Sequence, residues 1–349
     1  MNNWKRIVVS PDITVIEAMK LIDTLGTQFV MVLDSEDTLL GVVTDGDIRR
    51  GILANIPLTS PVNMIMNTKP RILSSDVSKV DAVAFLQANH ITHVPLVNSK
   101  GKVKSVVSIG ERTSLTGNPS TVVLMVGGLG SRLGQLTSNC PKPMLQIGGK
   151  PVLEVIVSNL KEHGFVDFVF CVNYMADMII EHFGDGSSLG VKIRYVHESK
   201  RMGTAGALTL LPEDISPTLL IMNGDIVTKV NFSGLMDFHR EHKAVATMAV
   251  RKYDFQIPYG VVKTEDGKIT GIEEKPNHTF LVSAGIYVVE KTTMNLLPRG
   301  DYFDMPHFFE AMMKNGDTTQ AFPIHEYWLD IGREDDLLKA QQEFTSERQ

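Results

Sequence analysis

The sequence lacks several features, and each absence removes a class of protein. Its 349 residues include only two cysteines, Cys140 and Cys171, which excludes a disulfide framework. No apolar run reaches the roughly 20 residues of a membrane-spanning helix, and the opening residues MNNWKRIVV have no signal-peptide pattern. We therefore expect a cytoplasmic protein that has no membrane partner.

The chain also lacks an excess of positive charge. The formal net charge is −6 at pH 7, which argues against nucleic acid as a partner held by bulk electrostatics. The ten histidines have no spacing typical of a metal cluster. With 349 residues and a hydrophobic content of 43%, the chain is expected to fold into two domains, or three.

The first part of the chain contains a repeat of roughly 60 residues. Each copy is predicted to form a helix followed by two strands. The helices are predicted at 14–25, 45–53 and 79–89, and the strands at 29–33, 40–44, 93–97 and 103–108. Gly117, Asn118 and Pro119 are turn residues that separate this part from the rest. The predicted domains are therefore 1–117, divided into 1–60 and 61–117, and 118–349.

The second part alternates strands and helices. Strands are predicted at 121–126, 168–172, 193–197 and 218–222, and helices at 152–163, 176–183, 204–211 and 333–342. This alternation predicts an α/β domain with a doubly wound, mostly parallel sheet. Ligands of such sheets bind beyond the carboxyl ends of the strands.

A glycine loop follows the first of these strands. The apolar run Val122–Val126 leads into Gly127, Gly128 and Gly130, with Ser131 and Arg132 next and Lys142 between two prolines. Bare backbone N–H groups at a strand end can hold a phosphate, and the two cations add positive charge. The dinucleotide fingerprint is excluded because Leu133 replaces its third glycine, and the Walker loop because Pro151 follows Gly149-Lys150. The loop predicts a nucleoside triphosphate site.

The string GGLGSRL followed by PKPML resembles the signature of the sugar-1-phosphate nucleotidyltransferases. The resemblance extends over residues 121–343 and implies Mg²⁺-dependent transfer of a nucleotidyl group to a sugar-1-phosphate, with release of pyrophosphate. It implies catalytic roles for Arg132, Lys142 and Asp225, and metal ligation by Asp225 and Asp330, which stand in NGD and WLDIG. The alternatives are a turn role for Asp225 and capping of the helix 333–342 by Asp330.

The same resemblance assigns the substrate contacts. Besides the loop, it implies nucleotide binding by Asn173, Glu198, Gly203 and Thr204, and sugar-phosphate binding by Gly260, Glu274, Lys275 and Gly285. Glu198 can only accept hydrogen bonds when ionised, and guanine offers two adjacent donors, N1–H and N2–H₂. We therefore expect GTP rather than UTP, dTTP or CTP.

The repeat at the start resembles a pair of cystathionine-β-synthase (CBS) modules, strongly in FVMVLDSEDTLLGVVTDGDIRRGI and more weakly in HVPLVNSKGKVKSVVSIGE. This implies an α+β pair with a regulatory role, self-association into a homo-oligomer, and an adenine nucleotide whose ribose contacts Thr44 and Asp47. In the second copy Glu111 replaces the aspartate. The alternative is that Thr44 and Asp47 only cap a helix.

The order of a CBS pair and a nucleotidyltransferase resembles the guanylyltransferases that make GDP-glucosamine for bacterial legionaminic acid synthesis. This favours glucosamine-1-phosphate as the second substrate. Mannose-, heptose- and glucose-1-phosphate remain alternatives. A different alternative is a catalytically inactive nucleotide sensor, against which the retention of Arg132, Lys142, Asp225 and Asp330 argues.

Overall fold

The computed structural model describes residues 4–25, 27–89, 91–108 and 118–346. The chain divides into two compact units, Met1–Leu115 and Thr116–Gln349. Within the described ranges, every helix is too short or too polar to cross a lipid bilayer. Glu111, which replaces the aspartate in the second copy, lies outside these residues.

The first unit contains two three-stranded sheets of the same order. The sheets are β1-β2-β3 and β4-β5-β6, and in each the first pair is parallel and the second antiparallel. The elements are β1 (Val8–Val9), α1 (Val15–Leu25), β2 (Phe29–Leu33), β3 (Leu39–Thr44), α2 (Asp45–Leu53), β4 (Leu73–Ser74), α3 (Lys79–Ala88), β5 (His93–Val97) and β6 (Val103–Ser108). The predicted repeat is confirmed.

The two copies share a core. Phe29 and Met31 of β2 pack in one buried cluster with Val97 and Val106 of the second copy. The rings of Phe29 and His93, each the first residue of its strand, lie 4.7 Å apart. Because large apolar groups from both copies are buried together, the repeat folds as a pair.

The second unit is built around a seven-stranded sheet of order β11-β10-β7-β12-β17-β14-β18. Its elements are β7 (Thr121–Met125), β8 (Gln146–Ile147), β9 (Lys150–Pro151), α4 (Val152–Glu162), β10 (Asp167–Val172), α5 (Ala176–Phe183), β11 (Lys192–His197), α6 (Gly203–Gly206), β12 (Thr218–Asn223), β13 (Ile226–Thr228), α7 (Phe232–Glu241), β14 (Ala246–Gln256), β15 (Val261–Glu265), β16 (Lys268–Glu273), β17 (Asn277–Glu290), α8 (Met305–Lys314), β18 (Thr319–Ile324), β19 (Trp328–Asp330) and α9 (Glu334–Ser346).

Helices cover both faces of this sheet. Leu124 of β7 lies in a core with residues of α4, α5 and α7, whereas its neighbour Val123 lies in a separate core with residues of α8. Alternate residues of a strand point to opposite faces, so a strand buried on both sides reads as a continuous apolar run. Only β17 pairs antiparallel to its two neighbours. The predicted doubly wound, mostly parallel sheet is confirmed.

The helix predicted at 204–211 is shorter than expected. It consists of the single turn α6 followed by a 3₁₀ segment, Ala207–Leu210. Gly203 has a φ of +75°, which ends the helix on one side, and Leu211 is extended on the other. The residue before a proline avoids the helical region, and Pro212 follows. The backbone N–H groups of Ala205 and Gly206 bond to Phe303 instead.

Candidate active site

Four parallel strands bring their carboxyl ends to one edge of the seven-stranded sheet. The pairing continues just past the strands, because Val126 N donates to Cys171 O, Gly224 N to Met125 O and Glu198 N to Val172 O, each at 2.9 Å. The residues that follow β7, β10, β11 and β12 are therefore fixed side by side. They include the glycine loop and most of the predicted site residues.

Gly127 lies against two predicted nucleotide contacts. A Cβ at this position would come within 2.8 Å of Glu198 Oε1 and 3.0 Å of the Asn173 Cβ. Asn173 Nδ2 donates to Glu198 O at 2.8 Å. Space above Gly128 is open to at least 4 Å. The structure thus brings Gly127, Asn173 and Glu198 together beside bare backbone that a ligand can approach.

The loop is closed by Thr137, which is not among the residues predicted from the sequence. Gly130 has a φ of +63°, and Thr137 Oγ1 donates to its carbonyl at 3.0 Å. A Cβ on Gly130 would lie 3.2 Å from the Lys142 Cβ, so the loop and the lysine are adjacent. Ser131 and Arg132 follow on the exposed side of the loop. A threonine seven residues after a glycine is too common a pattern to indicate this contact.

A short antiparallel pair places the two predicted metal ligands together. Asp225 follows β12, and Ile226 of β13 pairs with Asp330 of β19. The contact is extended by Ile331 N, which donates to Asp225 O at 3.0 Å. The alternative reading of Asp330 as a helix cap is wrong, because α9 begins at Glu334 and Asp330 belongs to a strand.

Lys142 joins the two carboxylates. Its Nζ bonds to Asp225 Oδ2 and lies 3.7 Å from Asp330 Oδ1. Asp225 Oδ1 and Asp330 Oδ1 are buried and have no hydrogen-bond partner. Burial, followed by the neighbouring Asp225 carboxylate, raises the pKa of Asp330. Buried oxygens without a hydrogen bond on two adjacent carboxylates are suited to a hard divalent cation such as Mg²⁺, which prefers oxygen ligands.

Glu198 lies at the opposite end of the glycine loop from this acidic pair. Burial raises the pKa of Glu198, and the Met202 N–H, which donates to Oε2 at 3.3 Å, opposes that rise. Its other oxygen, Oε1, faces Gly127. The carboxylate can therefore accept hydrogen bonds from a group bound beside the loop.

Gly203 and Thr204 are engaged within the chain. Thr204 N and Oγ1 donate to Asp304 Oδ1 at 2.9 and 3.2 Å. A Cβ on Gly203 would lie 2.5 Å from Phe303 O. Asp304 is not among the site residues predicted from the sequence, although an aspartate directly before Met305-Pro306 and an apolar helical run is a usable signal for a helix start.

The predicted sugar-side residues fall into two groups. Gly285, with a φ of +68°, is close to the metal side, since a Cβ there would lie 2.8 Å from Asn223 Nδ2. Gly260 and Glu274 are adjacent on the exposed β15–β16 hairpin, and Lys275 follows with a φ of +48°. Among the described residues, no hydrogen bond or ion pair joins Glu274 or Lys275 to the acidic pair.

In the first unit, Thr44 and Asp47 form a capping box at the start of α2. Asp47 Oδ2 accepts from Thr44 N at 2.8 Å and from Thr44 Oγ1 at 2.7 Å, while Oδ1 accepts from Arg50 Nη2 at 2.5 Å. Asp47 as a whole is only 6% exposed. The capping role is therefore present, and a ribose would have to compete with it.

Family comparisons match both parts of the chain. A family model described as nucleotidyl transferase matches residues 121–347, and a CBS domain model matches residues 3–54 and 62–111. A mannose-1-phosphate guanylyltransferase of Mycobacterium tuberculosis is 30% identical over 223 residues, which cover 62% of each chain. A UTP–glucose-1-phosphate uridylyltransferase of Synechocystis is 30% identical over 238 residues, 62% of this chain and 61% of that protein. The chain thus spans about three fifths of the length of these relatives.

A solved structure is also similar to this chain. HddC from Yersinia pseudotuberculosis, in complex with GMP-PN, superposes with a TM-score of 0.52 at 25% sequence identity. The match covers 64% of this chain and 99% of HddC.

Proposed function

Because the chain belongs to the nucleotidyl transferase family, we propose that it is a Mg²⁺-dependent sugar-1-phosphate nucleotidyltransferase. An oxygen of the sugar-1-phosphate attacks the α-phosphorus of the nucleoside triphosphate. The new O–P bond forms as the bond to the β-phosphate breaks, and pyrophosphate leaves with the electron pair. Both the nucleophile and the leaving group are anionic, so the reaction requires positioning and charge stabilisation rather than a covalent nucleophile.

The observation that carries this proposal is the cluster of Lys142, Asp225 and Asp330 beside the glycine loop. Lys142 holds its ammonium group between two carboxylates, each of which has one buried oxygen without a hydrogen bond. In the proposed reaction, Lys142 contacts the phosphates between which the nucleotidyl group moves. Arg132, exposed at the loop, holds the triphosphate through its planar guanidinium group.

Asp225 and Asp330 are the proposed Mg²⁺ ligands. Their adjacency through the β13–β19 pair and the buried oxygens that lack a hydrogen bond support this assignment. When bound, Mg²⁺ supplies positive charge at the phosphate oxygens, where negative charge develops. The backbone of Gly127, Gly128 and Gly130 then approaches the phosphates, since no side chain stands in the way.

We propose GTP as the nucleotide. Glu198 reads the guanine edge as a double acceptor, and Asn173 fixes its backbone. The similarity to a mannose-1-phosphate guanylyltransferase supports a guanine nucleotide, whereas the similarity to a uridylyltransferase keeps UTP as the competing candidate. Uracil presents a hydrogen-bond donor beside acceptors. An amide side chain, which can both accept and donate, therefore suits uracil better than a carboxylate.

Two sugars have equal support. The CBS pair in front of the enzyme favours glucosamine-1-phosphate, as in enzymes of legionaminic acid synthesis, and the named relatives favour mannose-1-phosphate. Heptose- and glucose-1-phosphate stay as alternatives. Gly260, Glu274, Lys275 and Gly285 are proposed to contact the sugar phosphate, and this requires the β15–β16 hairpin to lie over the bound substrate.

The test is pyrophosphate release across a grid of four nucleoside triphosphates and these sugar phosphates, with Mg²⁺ and with EDTA. We expect pyrophosphate release with GTP and one hexose-1-phosphate, which is either the amino sugar or a neutral sugar. We expect no release in EDTA. Glu198→Gln should shift the preference from GTP towards UTP. Release that is insensitive to EDTA would contradict the metal assignment, and release with UTP alone would contradict the role of Glu198.

If no combination of substrates released pyrophosphate, the result would instead favour the alternative of a nucleotide sensor without catalytic activity. Such a sensor would bind an adenine nucleotide at the CBS pair, whereas an enzyme whose sugar is missing from the grid would still bind GTP beside the glycine loop. Equilibrium binding of AMP, ATP and GTP compares the two. Homo-oligomer formation and adenine-nucleotide binding by the CBS pair remain predictions of the sequence.

A further inference from the structure

Asp304 occupies the position before helix α8 where a side chain normally accepts an N–H of its own helix. It makes no such bond, and Pro306 removes one donor from the first turn. Instead Asp304 Oδ1 accepts from Thr204 N at 2.9 Å and from Thr204 Oγ1 at 3.2 Å, and Oδ2 accepts from Tyr302 at 2.7 Å. The carboxylate is thus committed to a segment 100 residues earlier.

The contact is reciprocal. Thr204 Oγ1 accepts from Met305 N at 2.9 Å, so the threonine caps α8 while the aspartate caps α6. We call Thr204, Asp304 and Met305 the cross-cap. It has the bonding pattern of a capping box, but its two halves belong to different helices. Phe303 reinforces it by donating its N–H to Met202 O at 2.9 Å.

The segment held by the cross-cap leads directly to the glycine loop. Met202 N donates to Glu198 Oε2 at 3.3 Å, and Glu198 Oε1 lies 2.8 Å from the position of a Cβ on Gly127. Between the cross-cap and Met202 stands only Gly203, which packs against Phe303 O. A displacement of Thr204 therefore moves the N–H that orients the Glu198 carboxylate.

We propose that Asp304 is a positioning residue for nucleotide selection. Through the cross-cap it fixes Met202 and so holds Glu198 in the orientation that reads the base. The inference rests on the proposed function, in which Glu198 contacts the nucleotide. It assigns Asp304 no contact with substrate.

The test compares full-length variants for KM, kcat and base preference. Asp304→Ala should raise the KM for GTP about tenfold and leave kcat within about twofold, since a lost orientation weakens nucleotide binding. It should also reduce the preference for GTP over UTP. Asp304→Asn keeps an acceptor for Thr204 N and should restore most of both properties. Equilibrium binding of GTP and UTP to the same variants gives the same comparison without turnover.

Asn231→Ala is the matched control. Asn231 Oδ1 caps α7 by accepting from Gly234 N at 2.9 Å, and this contact lies outside the segment that carries Glu198. We expect a comparable loss of thermal stability in Asn231→Ala, with unchanged KM and base preference. The same result for Asp304→Ala would overturn the proposal and leave the cross-cap a purely structural contact.

A further variant of the same residue covers failure of Asp304→Ala to fold. Asp304→Glu keeps the charge and the acceptor oxygens but sets them one methylene further from the backbone, so it should weaken the bonds to Thr204. It should raise the KM for GTP and reduce the base preference in the same direction as Asp304→Ala; wild-type values of both in a folded Asp304→Glu would also overturn the proposal. If the wild-type chain itself released no pyrophosphate with any pair, the proposed function would fail, whereas GTP and UTP binding would still decide the role of Asp304.

Discussion

At the scale of single residues, the strongest prediction concerns Lys142 and Asp225. Lys142→Ala leaves two adjacent carboxylates without their shared cation, and Asp225→Asn removes one charge of the proposed metal site. Each should lower kcat by about 100-fold or more, the usual effect of deleting an electrostatic contact to a transition state. Pyrophosphate release at saturating Mg²⁺ measures the effect, and circular dichroism checks the fold.

Two further ion pairs provide controls for these substitutions. Lys150 pairs with Glu154 at 3.0 Å, and Asp214 pairs with Arg194 at 3.0 Å, both outside the site. Lys150→Ala and Asp214→Asn should leave kcat unchanged. Near-normal turnover of Lys142→Ala or Asp225→Asn would show that the residue has been misassigned.

The sequence suffices for contacts that lie within one motif. Gly127, Gly130 and Lys142 stand within sixteen residues of each other, and the structure brings them together. The partners that it does not reveal, Thr137 and Asp304, bond through ordinary polar side chains whose positions depend on the folded chain. The residue types of Thr137 and Asp304 do not identify these partners, because threonine and aspartate serve as caps in most folds. The pattern that follows Asp304 predicts a helix start and nothing about its partner.

At the scale of secondary structure, single elements are likewise predictable from the sequence, whereas pairings between distant short strands are not. The helix Ala176–Phe183 and the strand Phe29–Leu33 begin and end where their patterns predict, because their apolar periodicity reflects burial. The pairing of β13 with β19 is not predicted, since each has only three residues and they are a hundred positions apart. That pair nonetheless sets the distance between the two proposed metal ligands.

Strand β17 carries an irregularity that the site requires. Its register with β14 shifts between Met248 and Val250, and Gly285 in this stretch has a φ of +68°. Trp328 Nε1 donates to Ala284 O at 2.8 Å, which ties the irregularity to the strand that carries Asp330. Bulges of this kind commonly redirect a strand next to an active site.

Gly285→Ala should therefore destabilise the second unit and weaken sugar-phosphate binding. The new Cβ would lie 2.5 Å from Ile226 Cδ1 and 2.8 Å from Asn223 Nδ2, on the two sides of Asp225. We expect a loss of about 2 kcal/mol or more in the free energy of unfolding and a raised KM for the sugar phosphate. Urea unfolding and steady-state kinetics measure the two effects.

Gly316→Ala is the control that isolates the steric part. Gly316 has a φ of +83°, but nothing lies within 4 Å of a Cβ there. Gly316→Ala should lower the free energy of unfolding by about 1 kcal/mol, the cost of a left-handed alanine. The KM for the sugar phosphate should not change. Equal losses of unfolding free energy in Gly285→Ala and Gly316→Ala would mean that the atoms around Gly285 move to accommodate the new Cβ without strain.

At the scale of the whole molecule, the first unit should respond to acid through His93. Burial lowers the pKa of His93 from 6.5 to about 4. In the unfolded chain the imidazole already binds a proton near pH 6.5, so unfolding takes up a proton between these values. The free energy of unfolding should therefore decrease as the pH falls from 6.5 towards 4, by about 1.4 kcal/mol per pH unit at most.

His93→Phe removes the titrating group and places a second phenyl ring opposite Phe29. The difference in pH dependence between wild type and this variant isolates the histidine from the carboxylates that also titrate there. Urea unfolding at several pH values provides the comparison. Parallel curves for the two proteins would show that His93 remains accessible to protons in the folded state.

Regulation of the enzyme by the CBS pair is the remaining prediction at this scale. A ligand can change activity only if it binds two states of the protein with different affinity. An adenine nucleotide at Thr44 and Asp47 would have to displace the capping box and Arg50, which weakens its binding. We expect AMP or ATP to change kcat/KM by about fivefold, at the low end for allosteric coupling.

Asp47→Ala should abolish this response, whereas Asp81→Ala should preserve it. Asp81 pairs with Ser78 at 2.7 Å in a similar cap at the start of α3, so both substitutions remove a cap but only one alters the predicted ribose contact. An unchanged rate on titration with AMP and ATP, together with unchanged kinetics in a shortened chain beginning at Ser120, would contradict regulation by this unit. If only the shortened chain differed, the unit would influence the enzyme by its presence, and the capping box would be the whole function of Thr44 and Asp47.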